Sequence, residues 1–158
     1  RIQDPTKGLH EDIFYFVSRL TPLINVDLLV RNENGEVLLS WRNKITFQNK
    51  VGSGWHIPGG IIRLRETVSD RLHKVALHEM GGELASHSES PIAINQCIDH
   101  MARDRSHFIS LLYECKLSKD YKINNKNLES KEPGYLEWHK GVPDNLIANH
   151  NIYRKFLK

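Results

Sequence analysis

Apolar positions recur at helical spacing near the start of the chain, at Leu9, Ile13, Phe14, Phe16, Val17 and Leu20. They predict an amphipathic helix over 9–20, stopped by Thr21-Pro22. The period then shortens. Residues 23–31 are dense in β-formers, Asn32-Glu33-Asn34-Gly35 is a turn signal, and 36–41 resumes with Val37, Leu38 and Leu39, so the pattern predicts a hairpin. Residues 43–54 are polar and glycine-bearing, a loop long enough to carry function. Trp55-His56-Ile57 reads as a short strand closed by Pro58-Gly59-Gly60, whose glycines permit close backbone approaches. After Glu66, Thr67 and Asp70 stand in capping-box spacing, Val68, Leu72, Val75, Ala76 and Met80 form a helical stripe, and Gly81-Gly82 end it. Strands are expected over 92–99 and 107–117 around the turn Arg103-Asp104-Arg105. A short strand at 136–138 and a closing helix over 149–157 complete the pattern. Strands in separated pieces with helices between them predict one α/β (α+β) domain spanning 1–158.

Composition narrows the class. With 39% hydrophobic and 26% charged residues in 158, the chain is neither disordered nor collagen-like. No apolar run approaches the ~20 residues needed to span a bilayer, and no secretory signal is visible, so no membrane partner is expected. Twenty-two Lys and Arg against 19 Asp and Glu give a net charge of +3, which a mixed solvated surface explains without a nucleic-acid partner. Cys97 and Cys115 lack a CxxC neighbour and read as buried thiols in a reducing, cytoplasmic setting. Nine histidines invite an enzymatic reading, although each taken singly is more readily a surface or packing residue.

The chemistry concentrates in residues 60–81, GIIRLRETVSDRLHKVALHEMG. Gly60, Glu66 five residues beyond it, and Glu79 before Gly81 resemble the Nudix box, G-x5-E-x7-R-E-U-x-E-E-x-G-U with U bulky and apolar, here over 60–82. The resemblance implies a mixed sheet sandwiched between helices and a loop–helix–loop that presents carboxylates to a divalent metal. Magnesium suits that role because it takes hard oxygen ligands and shares its octahedron among protein, water and phosphate. Gly60, Glu66, Glu79 and Gly81 match the pattern. Lys74 replaces its Arg, Val75 and His78 replace two of its glutamates, and Gly82 replaces its last apolar residue. The charge that remains suits one Mg²⁺, with Mn²⁺ as the alternative.

A thinned box of this kind is similar to that of the GDP-mannose mannosyl hydrolases within the Nudix family. Thr21-Pro22-Leu23-Ile24-Asn25-Val26-Asp27, Gly35-Glu36-Val37-Leu38-Leu39, Arg42 and Gly54-Trp55-His56-Ile57-Pro58-Gly59-Gly60 carry the same likeness over roughly 10–84. The resemblance implies that water attacks the anomeric carbon of a nucleoside diphosphate sugar and expels GDP, and that the protein is a homodimer. It assigns the Gly59 carbonyl, Glu79 and Glu132 to the metal, and Asp27 and Arg42 to substrate, Arg42 offering a fork of donors to the diphosphate. His100 would lie beside the sugar or leaving group, His107 and Phe108 would line the substrate, and Glu66 would brace the glycine loop. Three departures qualify this. Ile61 stands where the family has a diphosphate-contacting Arg, leaving Arg63 or Arg65 to reach that charge. Phe108 replaces a Tyr, and Pro133 replaces the general-base His, so Glu132 or a neighbouring His takes over or the chemistry differs. The alternatives are a nucleotide-sugar binding or regulatory module that has lost catalysis, and a pyrophosphohydrolase cutting at phosphorus.

Overall fold

The computed structural model describes residues 4–43, 53–98, 100 and 106–158. In chain order its elements are α1 (Glu11–Leu20), β1 (Leu23–Val30), β2 (Val37–Arg42), β3 (Gly54–His56), β4 (Gly59–Ile61) and α2 (Val68–Val75). A π-helical turn, Ala76–Met80, continues α2; β5 (Leu84–His87), β6 (Ala93–Ile98), β7 (His107–Leu117), β8 (Leu136–His139) and a closing 3-10 segment, Ala148–Phe156, follow. The predicted turn at 103–105 and most of the predicted loop at 43–54 lie outside the described residues.

β1, the most apolar strand, and β7, the longest, pair in parallel at the centre of a sheet ordered β4-β1-β7-β5, and β6 also pairs with β7. All other pairings are antiparallel, so the sheet is mixed. Side chains alternate along β1, and both faces are covered. Val26, Leu28 and Val30 pack with Leu72, Val75, Ala76 and Met80 of the box helix and its π turn. On the opposite face, Leu29 and Leu112 pack with Tyr153 and Leu157 from the end of the chain and with Trp41, Trp55 and Ile57. The sheet thus lies between α2 and the closing segment, which is the mixed α+β sandwich expected from the pattern. β3, β2 and β8 form a separate antiparallel sheet.

Four local expectations are corrected. The predicted hairpin has its turn, since Asn32 Oδ1 accepts from the backbones of Asn34 and Glu36 at 3.0 and 2.9 Å. Past the Arg31–Val37 bridge, however, β1 and β2 part and join different sheets. β1 is buried on both faces and flanked by β4 and β7, so β2 finds its partners in β3 and β8. The glycines read as a closing turn instead begin β4, pairing with β1. β5 was not anticipated, and the closing helix is 3-10 rather than α. The cap of α2 is as predicted: Thr67 and Asp70 satisfy each other's backbone N–H groups, at 3.1 and 3.0 Å.

Candidate functional site

Asp27 is a charged residue in a strand that is otherwise apolar from Leu23 to Val30 except for Asn25, and it is 3% exposed. A buried carboxylate needs donors, and three reach it. Ser110 Oγ and Tyr153 OH both donate to Oδ2, and Asn25 Nδ2 donates to Oδ1 at 2.7 Å. Strand geometry explains the first and third. Asn25 is two residues before Asp27 and pairs across the ladder with Ser110, so all three side chains share a face. Burial pushes the Asp27 carboxyl up to about 6, against the lowering effect of these hydrogen bonds and of the Arg42 charge.

Gly59 lies opposite Asp27 on the edge strand β4. A Cβ there would stand 2.0 Å from Asp27 Oδ1, so only glycine fits. The cross-strand hydrogen bonds fall at Ile62 to Ile24 and Leu28 to Pro58, at 3.0 and 2.9 Å. The Asp27–Gly59 pair is therefore a non-hydrogen-bonded one, and the polar groups of Gly59 point outward from β1. Its N–H lies towards the carboxylate of Glu79, in the π turn after α2, and favours the ionised form of that carboxyl. Burial pushes the Glu79 carboxyl up to about 7, opposed by Arg42 and the Gly59 N–H and reinforced by Asp27. His56 Nε2 is 3.9 Å from Glu79 Oε2, too long for a hydrogen bond. Burial, then Arg42 and His150, hold His56 well below its usual value, so the contact is between a neutral ring and the carboxyl.

Of the box positions that lack a glutamate, Val75 is buried against Gly60 as part of the core and His78 is exposed. At the last position of the box, Gly82, the missing apolar side chain is replaced from elsewhere. The Tyr121 ring fills that space, within 2.5 Å of where a Cβ would be, and its OH donates to Met80 O at 2.8 Å. Among the described residues no group of three or more His, Cys, Asp or Glu side chains is arranged to hold a metal ion. One carboxylate with an outward-facing carbonyl does not make an all-protein cage. It does fit a single hard cation that completes its shell with water and phosphate, for which a desolvated Glu79 is a ready ligand.

Glu66 is occupied elsewhere. Its carboxylate accepts from Arg63 N at 2.9 Å, Arg71 Nε at 2.8 Å and Lys74 Nζ at 2.7 Å, tying the loop after β4 to α2. Burial alone would raise its pKa, but Lys74, the Arg63 N–H and Arg71 outweigh it and bring it down to about 2. The guanidinium of Arg63 lies over Gly8, 2.7 Å from a Cβ built there, on the N-terminal segment. Arg65 is exposed with φ of 62°.

The structure brings together Asp27, Arg42, Gly59 and Glu79, with the Arg42 charge acting on both carboxyls and on His56 and His150. Other expected site residues lie apart. Glu132 is exposed, and its Oε2 accepts from Glu129 N at 3.0 Å within its own turn. His100 is exposed in the turn after β6. His107 and Phe108 open β7; Phe108 is on the Asp27 face and His107 on the other, where its Nε2 meets Gln96 at 2.9 Å. Cys115 is buried and Cys97 only partly so.

Sequence reasoning gave no role to Asn25, His56, Ser110, His150 or Tyr153. Asn25 and His56 sit inside the quoted motifs and Ser110 at the right strand parity, so a signal existed for these three. His150 and Tyr153 arrive from the chain's end, and nothing local marks them. His150 Nδ1 accepts from Ile57 N at 3.1 Å, and burial holds the ring neutral, its pKa lowered to about 3.

Comparison with known proteins accords with this geometry. Residues 21–151 match the NUDIX domain profile. A relative 29% identical over 150 residues, covering 91% of this chain and 92% of its own, is the low-salt glycan biosynthesis protein Agl8 of Haloferax volcanii. In fold the chain is similar to the MutT NUDIX hydrolase of Burkholderia pseudomallei, with a TM-score of 0.67 at 18% identity over 87% of this chain and 99% of that one. It is also similar to a UDP-X diphosphatase, with a TM-score of 0.58 at 18% identity over 94% of this chain and 68% of that one. With the box loop and helix, the edge glycine and the desolvated glutamate all inside the matched span, the chain belongs to the Nudix hydrolase family.

Proposed function

We propose that the protein is a Mg²⁺-dependent hydrolase of a nucleoside diphosphate sugar, of the GDP-mannose mannosyl hydrolase kind, in which water attacks the anomeric carbon. Nudix hydrolases use divalent metal ions and act on nucleoside diphosphate-linked substrates, which sets the general class. The observation that carries the finer reading is the solitary Glu79 facing Gly59, with Val75 built into the core. Several metals clamping one phosphorus need more negative ligands than this, whereas leaving-group stabilisation at carbon needs one cation and a diphosphate clamp. Sugar-directed chemistry also agrees with a relative named for glycan biosynthesis.

Gly59 O and Glu79 would hold the ion, Mg²⁺ or alternatively Mn²⁺, with Glu132 as a further ligand from the last loop. When bound, that ion supplies positive charge to the departing diphosphate. Arg42 holds the diphosphate, and Asp27 accepts a sugar hydroxyl. Arg63 would have to leave Gly8 to assist Arg42, and His107 and Phe108 would contribute from the start of β7. His100 would face the sugar, and Glu66 keeps the loop in place. With Pro133 lacking a basic atom, proton acceptance falls to Glu132 or to a neutral imidazole such as His56 beside Glu79. The second reading, a binding or regulatory protein without catalysis, is favoured by Pro133 and by the engagement of Glu132 within its own turn.

A homodimer also belongs to the proposal. Ile24, Ile94 and Ile98 are 49%, 68% and 47% exposed on one face of the sheet, at the end α2 does not cover. Such an apolar face suits a second copy. We propose a cytoplasmic setting from the thiols alone; among the described residues no helix is long and apolar enough to cross a membrane. Hydrolysis of GDP-mannose in H₂¹⁸O tests the chemistry. Label on mannose supports attack at carbon, label on phosphate moves the reaction to phosphorus, and binding without turnover leaves the regulatory reading.

A further inference from the structure

We infer that Tyr121 is a positioning residue for Glu79, and that position 82 is glycine because the Tyr121 ring occupies its side-chain space. The inference rests on the reading of Glu79 as the metal ligand. With Val75 and His78 standing where the box has glutamates, no second glutamate of the box helix shares that task, so the binding of one cation depends on where this one side chain is held. The backbone around it is a poor mount. Glu79 lies in a π turn, and the two residues that close the box, Gly81 and Gly82, are of the type with the least conformational restraint.

Local backbone bonds close the start of that turn: Gly81 N donates to Leu77 O and Gly82 N to Ala76 O, both at 3.2 Å. The Met80 carbonyl, next in the chain after Glu79, takes its donor from the loop after β7. Tyr121 OH reaches it at 2.8 Å, while the Met80 side chain is 1% exposed in the core. Met80 is therefore held at both its side chain and its carbonyl, and Glu79 beside it is restrained through the shared backbone. Tyr121 is itself fastened. Its N–H donates to Ser118 O and Ser118 N to Glu83 O, each at 3.0 Å, and its ring packs against the core beneath α2. Burial pushes its hydroxyl up to about 12, which keeps it a donor.

Gly82 does not share the positive φ of Gly81, so its own backbone makes no demand for glycine. What excludes a side chain is the ring: a Cβ would stand 2.5 Å from Tyr121 Cδ2 and 2.7 Å from Cε2. An apolar side chain at 82, as in the box pattern, would fill that space but would offer no O–H to Met80 O. Exchanging it for a tyrosine from the loop after β7 keeps the packing and adds a hydrogen bond beside the one glutamate of the turn.

The test is Mn²⁺ binding to the whole protein without nucleotide, read by electron paramagnetic resonance of the free ion. It compares wild type, Tyr121→Phe, Gly82→Ala, the Gly82→Ala/Tyr121→Phe double variant, Glu79→Gln and Thr67→Ala. Tyr121→Phe keeps the ring and should weaken Mn²⁺ binding about tenfold, as is usual when a group supporting a metal ligand is removed. Gly82→Ala displaces the ring with its hydroxyl intact; it should do likewise and add little in the double variant. Thr67→Ala loosens the far end of the same helix and should bind Mn²⁺ as wild type does. A loss there equal to that of Tyr121→Phe would reduce Tyr121 to general stability and overturn the inference. Two other results also overturn it: Tyr121→Phe binding within about twofold of wild type while Glu79→Gln has lost the ion, and losses that add in full in the double variant. A wild type that binds no Mn²⁺, or Glu79→Gln that binds it equally well, is a different failure: it removes Glu79 as the metal ligand, and the inference with it.

Discussion

Two glutamates of the box, Glu66 and Glu79, carry opposite electrostatics, and each gives a test. Glu66 sits among Lys74, Arg71 and a backbone N–H and ionises far below its ordinary 4.5, at about 2. A depressed carboxyl stabilises the fold above its unfolded pKa and loses that contribution as pH falls through its folded one. Glu66→Gln should therefore be less stable than wild type above about pH 4.5, with the gap closing as pH falls towards 2, as measured by urea midpoints across that range. Glu79 has the reverse sign. Its carboxyl titrates at about 7, so its ionisation within the fold weakens the metal-free protein as pH rises from 4.5 through 7. A cation binds the ionised form and reverses that loss. Mg²⁺ should raise Tm clearly at pH 8 and scarcely at pH 5.5, and Glu79→Gln should remove the difference along with Mg²⁺-dependent hydrolysis. An equal Mg²⁺ effect at both pH values would place the ion elsewhere.

Among the elements, α2 and β4 show where sequence is a good guide and where it fails. Thr67 and Asp70 cap α2 by a local rule, and the spacing alone was sufficient. Thr67→Ala should cost about 1 kcal/mol in chemical denaturation without altering GDP binding. The end of that helix was less legible. A run of apolar positions to Met80 reads as one helix, but the backbone widens into a π turn over Ala76–Met80 before Gly81 takes φ of 65°. Such turns cluster at functional sites, and here it carries Glu79. β4 was missed because Gly59-Gly60 has no strand propensity; it is a strand because β1 presents an open edge and Asp27 leaves room for nothing larger than glycine. The family resemblance singled out Glu79, Gly59, Asp27 and Arg42 by their place in quoted motifs, and the fold sets these four near one another. The motifs could not foretell what depends on docking, namely His150 and Tyr153, or the turn that occupies Glu132.

For the whole molecule, the exposed apolar face around Ile24, Ile94 and Ile98 bears on assembly. Ile94→Glu is expected to shift the protein from dimer to monomer in light scattering while leaving monomer stability nearly unchanged, because the side chain is largely in solvent. A monomeric wild type would remove the dimer from the proposal. The distance along the chain between Asp27 and Tyr153, 126 residues, has its own consequence. Contacts of such span close late, after the loop entropy between them has been met. During synthesis β1, the box loop and α2 leave the ribosome long before Tyr153 does. Asp27 is thus synthesised without the Tyr153 donor and acquires it only when the closing segment docks, the same step that completes the core around Tyr153 and Leu157.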